Sequence, residues 1–195
     1  FSQNYRKIFQ VFGERKILPL ISISFSVLLL AGFYQAFFIL FLKNTIGWSQ
    51  NLILVFISTF SILFLPISLF LIHRLAKFKS EKNIFQGGIV FGALSIVFGI
   101  FQPILNFLSV LVINLIRSAG GLTSDSGRSG LLTQKLKESP EEAGAIDTIF
   151  PHLGTALGAL IGGAIIGYLG YQLLFIFGGL FVILVGLIVK RVAKI

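Results

Sequence analysis

An arginine, charged at any physiological pH, stands at Arg117 inside an apolar run that starts near Ile104 and includes Ile113-Asn114-Leu115-Ile116-Arg117. On a helical wheel of about 100° per residue, with Asn106 at zero, Asn114 falls near 80°, Arg117 near 20°, Gly121 near 60°, Asp125 near 100° and Arg128 near 40°. One narrow face gathers them all. If the helix runs on through Ser126 and Gly127, that face extends about 33 Å, enough to cross a bilayer's apolar core. Arg117 then sits near mid-depth, where polar groups need a water-filled cavity or a partner helix. A guanidinium in a low-dielectric cleft favours an anionic or carboxylate-bearing ligand, held through two parallel hydrogen bonds. Arg117 and Asn114 are therefore expected to contact a solute, and Asp125 and Arg128, three apart, to form an ion pair or gate. The plainer alternative is an arginine near the end of a shorter helix, snorkelling to the headgroups. The stretch GGLTSDSGRSG (120–130), built from poor helix formers, decides between the two.

Other residue groups point to less chemistry. Tyr34 and Gln35 lie past the middle of the first apolar segment and join the solute-contact candidates. His152, with Thr148 and Thr155, makes a small polar face read as helix packing in preference to proton transfer. Asp147, Glu138, Glu141 and Glu142 read as solvated charges. Gly154, Gly158 and Gly162 recur every four residues and leave one helix face nearly bare, the pattern of a close helix-packing interface in lipid. Gly127-Arg128-Ser129-Gly130 resembles the GxSG of rhomboid-type intramembrane serine proteases. A serine nucleophile needs a histidine base within reach, and only His73 and His152 are present, neither in the last apolar segment. No enzyme is expected, with a rhomboid-like protease and a non-transporting membrane scaffold as alternatives. Without cysteine and with two histidines, no metal site and no cofactor is expected.

The elements that must position these residues follow from composition. The 195 residues are 55% hydrophobic and 12% charged, with mean hydropathy +0.95, against roughly 45–50% and 25% in a soluble domain. A soluble fold of this length has too little interior for 22 phenylalanines beside so many Ile, Leu and Val. The expectation is an all-α membrane protein of six transmembrane helices: Ile17–Leu42, Asn51–His73, Ile84–Phe101, Ile104 to somewhere between Leu122 and Leu136, Ile146–Tyr168 and Gln172–Val189. Residues 1–16 form a basic cytoplasmic segment, 17–189 the bundle and 190–195 a cytoplasmic tail. Alternate loops collect Arg6, Lys7, Arg15, Lys16, Arg74, Lys77, Lys79, Lys82, Arg128, Lys135, Lys137, Lys190, Arg191 and Lys194, while the opposite side receives Lys43 alone. Both termini are thereby expected in the cytoplasm. The net charge of +9 reflects this topology and an anionic leaflet, with no nucleic-acid partner. The sequence opens on Phe1 without an apolar h-region, so a fragment is expected and a signal peptide is not.

Together these residues resemble the second half of a major facilitator superfamily transporter. The resemblance rests on the basic opening NYRKIFQVFGERK, a first span ending before GWSQN, the proline-bearing LPISLFLIHRLAKFKSEKN, the glycine-containing third span, LLTQKLKESPEEAGA, and the glycine-rich LGTALGALIGGAIIGYLGYQLLFIF. The basic loop departs from the family pattern: Leu69 stands for its first Gly, His73 for Asp and Ala76 for its second Gly, leaving Arg74 and Lys77. The resemblance implies half of a twelve-helix secondary transporter, a symporter or antiporter of the plasma membrane, moving a small solute by alternating access. Its partners would be the lipid bilayer, the solute and the missing N-terminal six-helix half. In that scheme the first and fourth helices line the cavity, and the second and fifth meet the other half, with the Gly154–Gly162 face sliding against it.

Overall fold

The computed structural model describes residues 17–193, so the basic segment 1–16 and Lys194 lie outside the described residues. Within that range the regular elements are helical: α1 Ile17–Asn44, α2 Gln50–Leu75, α3 Ser80–Ile100, a 3-10 turn Gln102–Ile104, α4 Phe107–Lys135 and α5 Pro140–Ala193. All five α-helices are long and apolar enough to cross a membrane.

Two of the six expected spans, Ile146–Tyr168 and Gln172–Val189, fall within the single element α5, which also starts earlier, at Pro140. A straight helix of its 54 residues would reach about 81 Å. α5 is not straight. Gly170, at φ 76° and ψ 176°, interrupts it, and only glycine adopts that backbone without strain. Before Gly170, Gly154 packs on Phe25 and Leu28, and Gly162 on Phe33 and Phe37, so contacts advance in step with α1. After it they run backwards: Phe175 packs on Tyr34 and Phe41, Gly178 on Leu30 and Phe33, and Val185 borders the same cavity as Ile21 and Ser22. The chain therefore reverses at Gly170, and the arms 140–169 and 171–193 pass α1 in opposite directions. No loop marks the reversal because one glycine accomplishes it.

The turns sort to two ends. At one, Trp48 stacks on Phe107 and Phe41 meets Tyr171. At the other, Ile21, Arg128, Leu132, Ile146 and Phe150 border one small pocket, Ser80 lies beside Gly127 and Gly130, and Lys190 lies over Phe85. Among the described residues, every Lys and Arg except Lys43 and Arg117 lies in a connection on this second side or within about two turns of a helix end there. The charge asymmetry of the sequence is thus an asymmetry of the folded bundle.

α4 is continuous through GGLTSDSGRSG, so the loop alternative for that stretch does not hold. Its glycines have a packing reason. A Cβ at Gly127 would come within 2.7 Å of the Ile84 nitrogen and the Ser80 carbonyl oxygen, and one at Gly120 within 3.1 Å of the Gly87 carbonyl oxygen. Ser124, between them on the same face, is fully buried. Small residues at 120, 124 and 127 let α3 and α4 touch through their backbones, which offsets poor intrinsic helix propensity.

Asn106 belongs to the start of α4 and not to its polar stripe. Its side chain accepts a hydrogen bond from the Ser109 N–H at 2.9 Å, while the Ser109 hydroxyl oxygen accepts from the Asn106 N–H at 2.9 Å. This reciprocal cap satisfies two donors that a helix start otherwise leaves open, and it places the start after Ile104.

Candidate functional site

Arg117 lies 10 residues into α4, about 15 Å along its axis. It lies some 27 Å from Lys135 and the basic end on the same reckoning. The side chain does not run to that end. Its Nη2 donates to Asn114 Oδ1 at 2.9 Å, one turn back towards the opposite side. Asn114 is itself buried and donates to the Val110 carbonyl at 2.9 Å. The guanidinium carbon sits 3.5 Å from the centroid of the Tyr34 ring on α1 and 5.0 Å from that of Phe91 on α3. Stacking on a ring face suits a planar, weakly hydrated cation far better than hydrocarbon does. The Arg117 Nε is buried without a hydrogen-bond partner, so the guanidinium keeps one donor that the protein leaves unused.

Tyr34 ties this group to the core. Its ring packs on Phe175 at 4.5 Å, Phe38 at 5.8 Å and Phe98 at 6.1 Å. The structure thus brings Arg117, Asn114 and Tyr34 together between α1 and α4. Gln35, the next residue of α1, is exposed, and its side chain makes no hydrogen bond among the described residues; it does not join them. Adjacent helical positions point about 100° apart, so both could not face Arg117.

Nearer the basic end of α4, Arg128 is 5% exposed and bridges two carboxylates. Its Nη1 lies 2.7 Å from Asp125 Oδ1 and its Nε 3.1 Å from Asp147 Oδ1. Ser129 Oγ donates to the other Asp147 oxygen at 2.7 Å. Asp147 is therefore not the freely solvated charge expected from the sequence: it fastens the start of α5 to α4. A cavity of about 340 Å³ lies beside it, bordered by Ser129, Thr133 and Lys137. The hydroxyl of the GRSG stretch is committed to a carboxylate. Among the described residues neither histidine bonds to Ser129: His152 is exposed with Nδ1 2.7 Å from the Thr148 carbonyl of its own helix, and His73 is exposed on α2. His152 makes a hydrogen bond, but within its own helix and while exposed.

Gly154, Gly158 and Gly162 form a contact with α1 of the same bundle. A Cβ at Gly158 would collide with the Leu29 carbonyl, and one at Gly154 would lie 2.7 Å from the Leu28 Cβ. From α1, Gly32 answers by meeting the Thr155 backbone. These glycines are covered inside the bundle by α1, where the sequence reading set them against the other half.

Sequence reasoning missed Asp147 and Asn83. Asn83, 4% exposed, donates to the Leu75 carbonyl at 3.1 Å, closing the end of α2 from α3. Its signal was a lone amide just after a charged turn. The signal for Asp147 was a carboxylate one helix away from an arginine that already had a local partner.

No known protein-family profile matches the chain, and no solved structure matches it. A protein of Bacillus subtilis (strain 168) described as "Uncharacterized MFS-type transporter YwoD" is 31% identical over 111 residues, 57% of this chain and 24% of that protein. The aligned stretch thus spans about a quarter of that relative. With five helices apolar enough to span a bilayer and this partial likeness to a transporter, the chain is an integral membrane protein.

Proposed function

We propose that this chain forms one half of a secondary transporter of the major facilitator type, each α5 arm crossing the bilayer once to give six spans. The half carries a small solute past a site at Arg117, and a solute with a carboxylate or other anionic group is the one that site favours. The observation that carries this reading is the guanidinium held inside the bundle, stacked on Tyr34 and with its Nε unpartnered. An arginine serving only to anchor a helix would reach headgroups. The exposed apolar surface of α2, where Ile62 is 72% and Leu69 63% exposed, and of the first α5 arm supports a second six-helix half packing there. The lysine- and arginine-rich end is cytoplasmic, with both termini of the segment on that side of the plasma membrane.

The test is uptake into vesicles containing the full-length protein, screened over small carboxylates and neutral solutes of matched size. Wild type should accumulate at least one carboxylate above empty vesicles, Arg117→Ala should lower that uptake about tenfold or more, and Arg117→Lys should recover only part, since an ammonium cannot replace a planar fork. Uptake equal in all three proteins would remove Arg117 from the pathway. A preference for neutral solutes would overturn the assignment of anion chemistry.

A further inference from the structure

Among the described residues, three aromatic rings at the basic end of the bundle each lie under a cation: Arg74 over Phe70 at 5.2 Å, Lys82 over Phe78 at 5.7 Å and Lys190 over Phe85 at 6.0 Å. The last two involve residues 78–85, at and just before the start of α3, and Lys190 near the end of α5. Phe85 lies where the start of α3 meets the end of α5, opposite Gly186, and Lys82 stands one helical turn before it. Lys82, Lys190 and Arg191 are all exposed. Glu81 is the one acidic residue in the first turn of α3. Below the cations the surface turns apolar at once, with Leu187 50% and Ile188 61% exposed.

We propose that this surface, where the start of α3 meets the end of α5, binds an anionic phospholipid, with Lys82, Lys190 and Arg191 around the phosphate headgroup, Phe78 and Phe85 beneath it, and the acyl chains along the second arm of α5. Cations fixed over rings at a bilayer's edge sit at headgroup depth, and an apolar wall below them matches a lipid where it would not match a soluble anion. The α1, α4 and ion-cluster residues take no part. The inference rests on the chain spanning a bilayer and is independent of the transport reading.

The experiment uses the full-length protein in an uncharged detergent, with native mass spectrometry counting retained phosphatidylglycerol against phosphatidylcholine of the same acyl chains. Phosphatidylglycerol should be retained preferentially, and Lys82→Gln, Lys190→Gln and Arg191→Gln should each weaken its retention by about fivefold. Lys43→Gln, at the opposite end, should leave it unchanged, and Lys82→Arg with Lys190→Arg should keep it. Equal retention of both lipids, an equal loss in Lys43→Gln, or failure of the arginine replacements to retain lipid would overturn the proposal. So would glycerol 3-phosphate binding as tightly as the lipid, which would make the occupant a soluble anion.

Discussion

Gly158→Leu should abolish recovery of folded protein, and Gly158→Ala should lower stability by about 1–3 kcal/mol, the usual cost of forcing atoms into a packed site. The reason is local. The first atom of any side chain at 158 falls on the Leu29 backbone, and a backbone cannot turn aside as a rotamer can. Thr155 meets Gly32 on the other side of the same crossing, so neither helix can slide away without opening its neighbour's contact. Gly167 provides the control: a Cβ there meets nothing within 4 Å, so Gly167→Ala should be neutral or slightly stabilising through better helix propensity. Thermal denaturation in detergent, read by monodispersity on size exclusion, measures all three. Comparable midpoints for Gly158→Ala and Gly167→Ala would show that α1 and α5 are not in backbone contact.

The second large effect is expected at Arg128. Removing one partner of a buried ion pair costs about 3–5 kcal/mol. Here the carboxylates keep part of their hydration, the side chains of Asp125 and Asp147 being 45% and 33% exposed, so about 2 kcal/mol is expected for Arg128→Gln. Two carboxylates then face each other with no cation between them. Adding Asp147→Asn to Arg128→Gln should return about half of the loss, because the amide oxygen still accepts from Ser129 and the repulsion is gone. A double-mutant cycle on the denaturation midpoints measures this. Strict additivity would mean that the two residues do not interact, contrary to the 3.1 Å contact.

How far this was legible from the sequence depends on the range of the interactions. Hydropathy located the apolar stretches of the five described helices, because bilayer thickness dictates the length of a crossing helix. The α5 reversal was legible only as two segments parted by Gly170; that a single φ of 76° joins them depends on backbone geometry, which hydropathy does not register. The 100° periodicity placed Asn114, Arg117, Asp125 and Arg128 on one face of α4, since i, i+3 and i+4 relations are local. Whether α4 continued past Ala119 was beyond propensity. Glycines at 120, 127 and 130 argue against a helix until α3 is brought against them, with Gly87 and Phe91 at 120, Ser80 and Ile84 at 127, and Ser80 at 130. The same limit hid Asp147, whose role exists only when α5 returns alongside α4, and it misassigned Asn106, whose cap on Ser109 removes it from the stripe. Tyr34 was separable from Gln35 only once α1 was packed.

The claim on which transport depends is that the polar edge of α4 borders water while its apolar side borders lipid. The 195 residues contain no cysteine, so each single replacement is the one thiol among them, read against the unsubstituted protein as the labelling blank. In the full-length protein in membranes, Arg117→Cys and Asp125→Cys should react with a water-soluble maleimide. Val112→Cys and Ile116→Cys should not, although Val112 and Ile116 are 44% and 49% exposed on the bundle surface. Labelling at 112 and 116 with none at 117 and 125 would contradict the account, placing water on the apolar side and leaving Arg117 a buried packing residue.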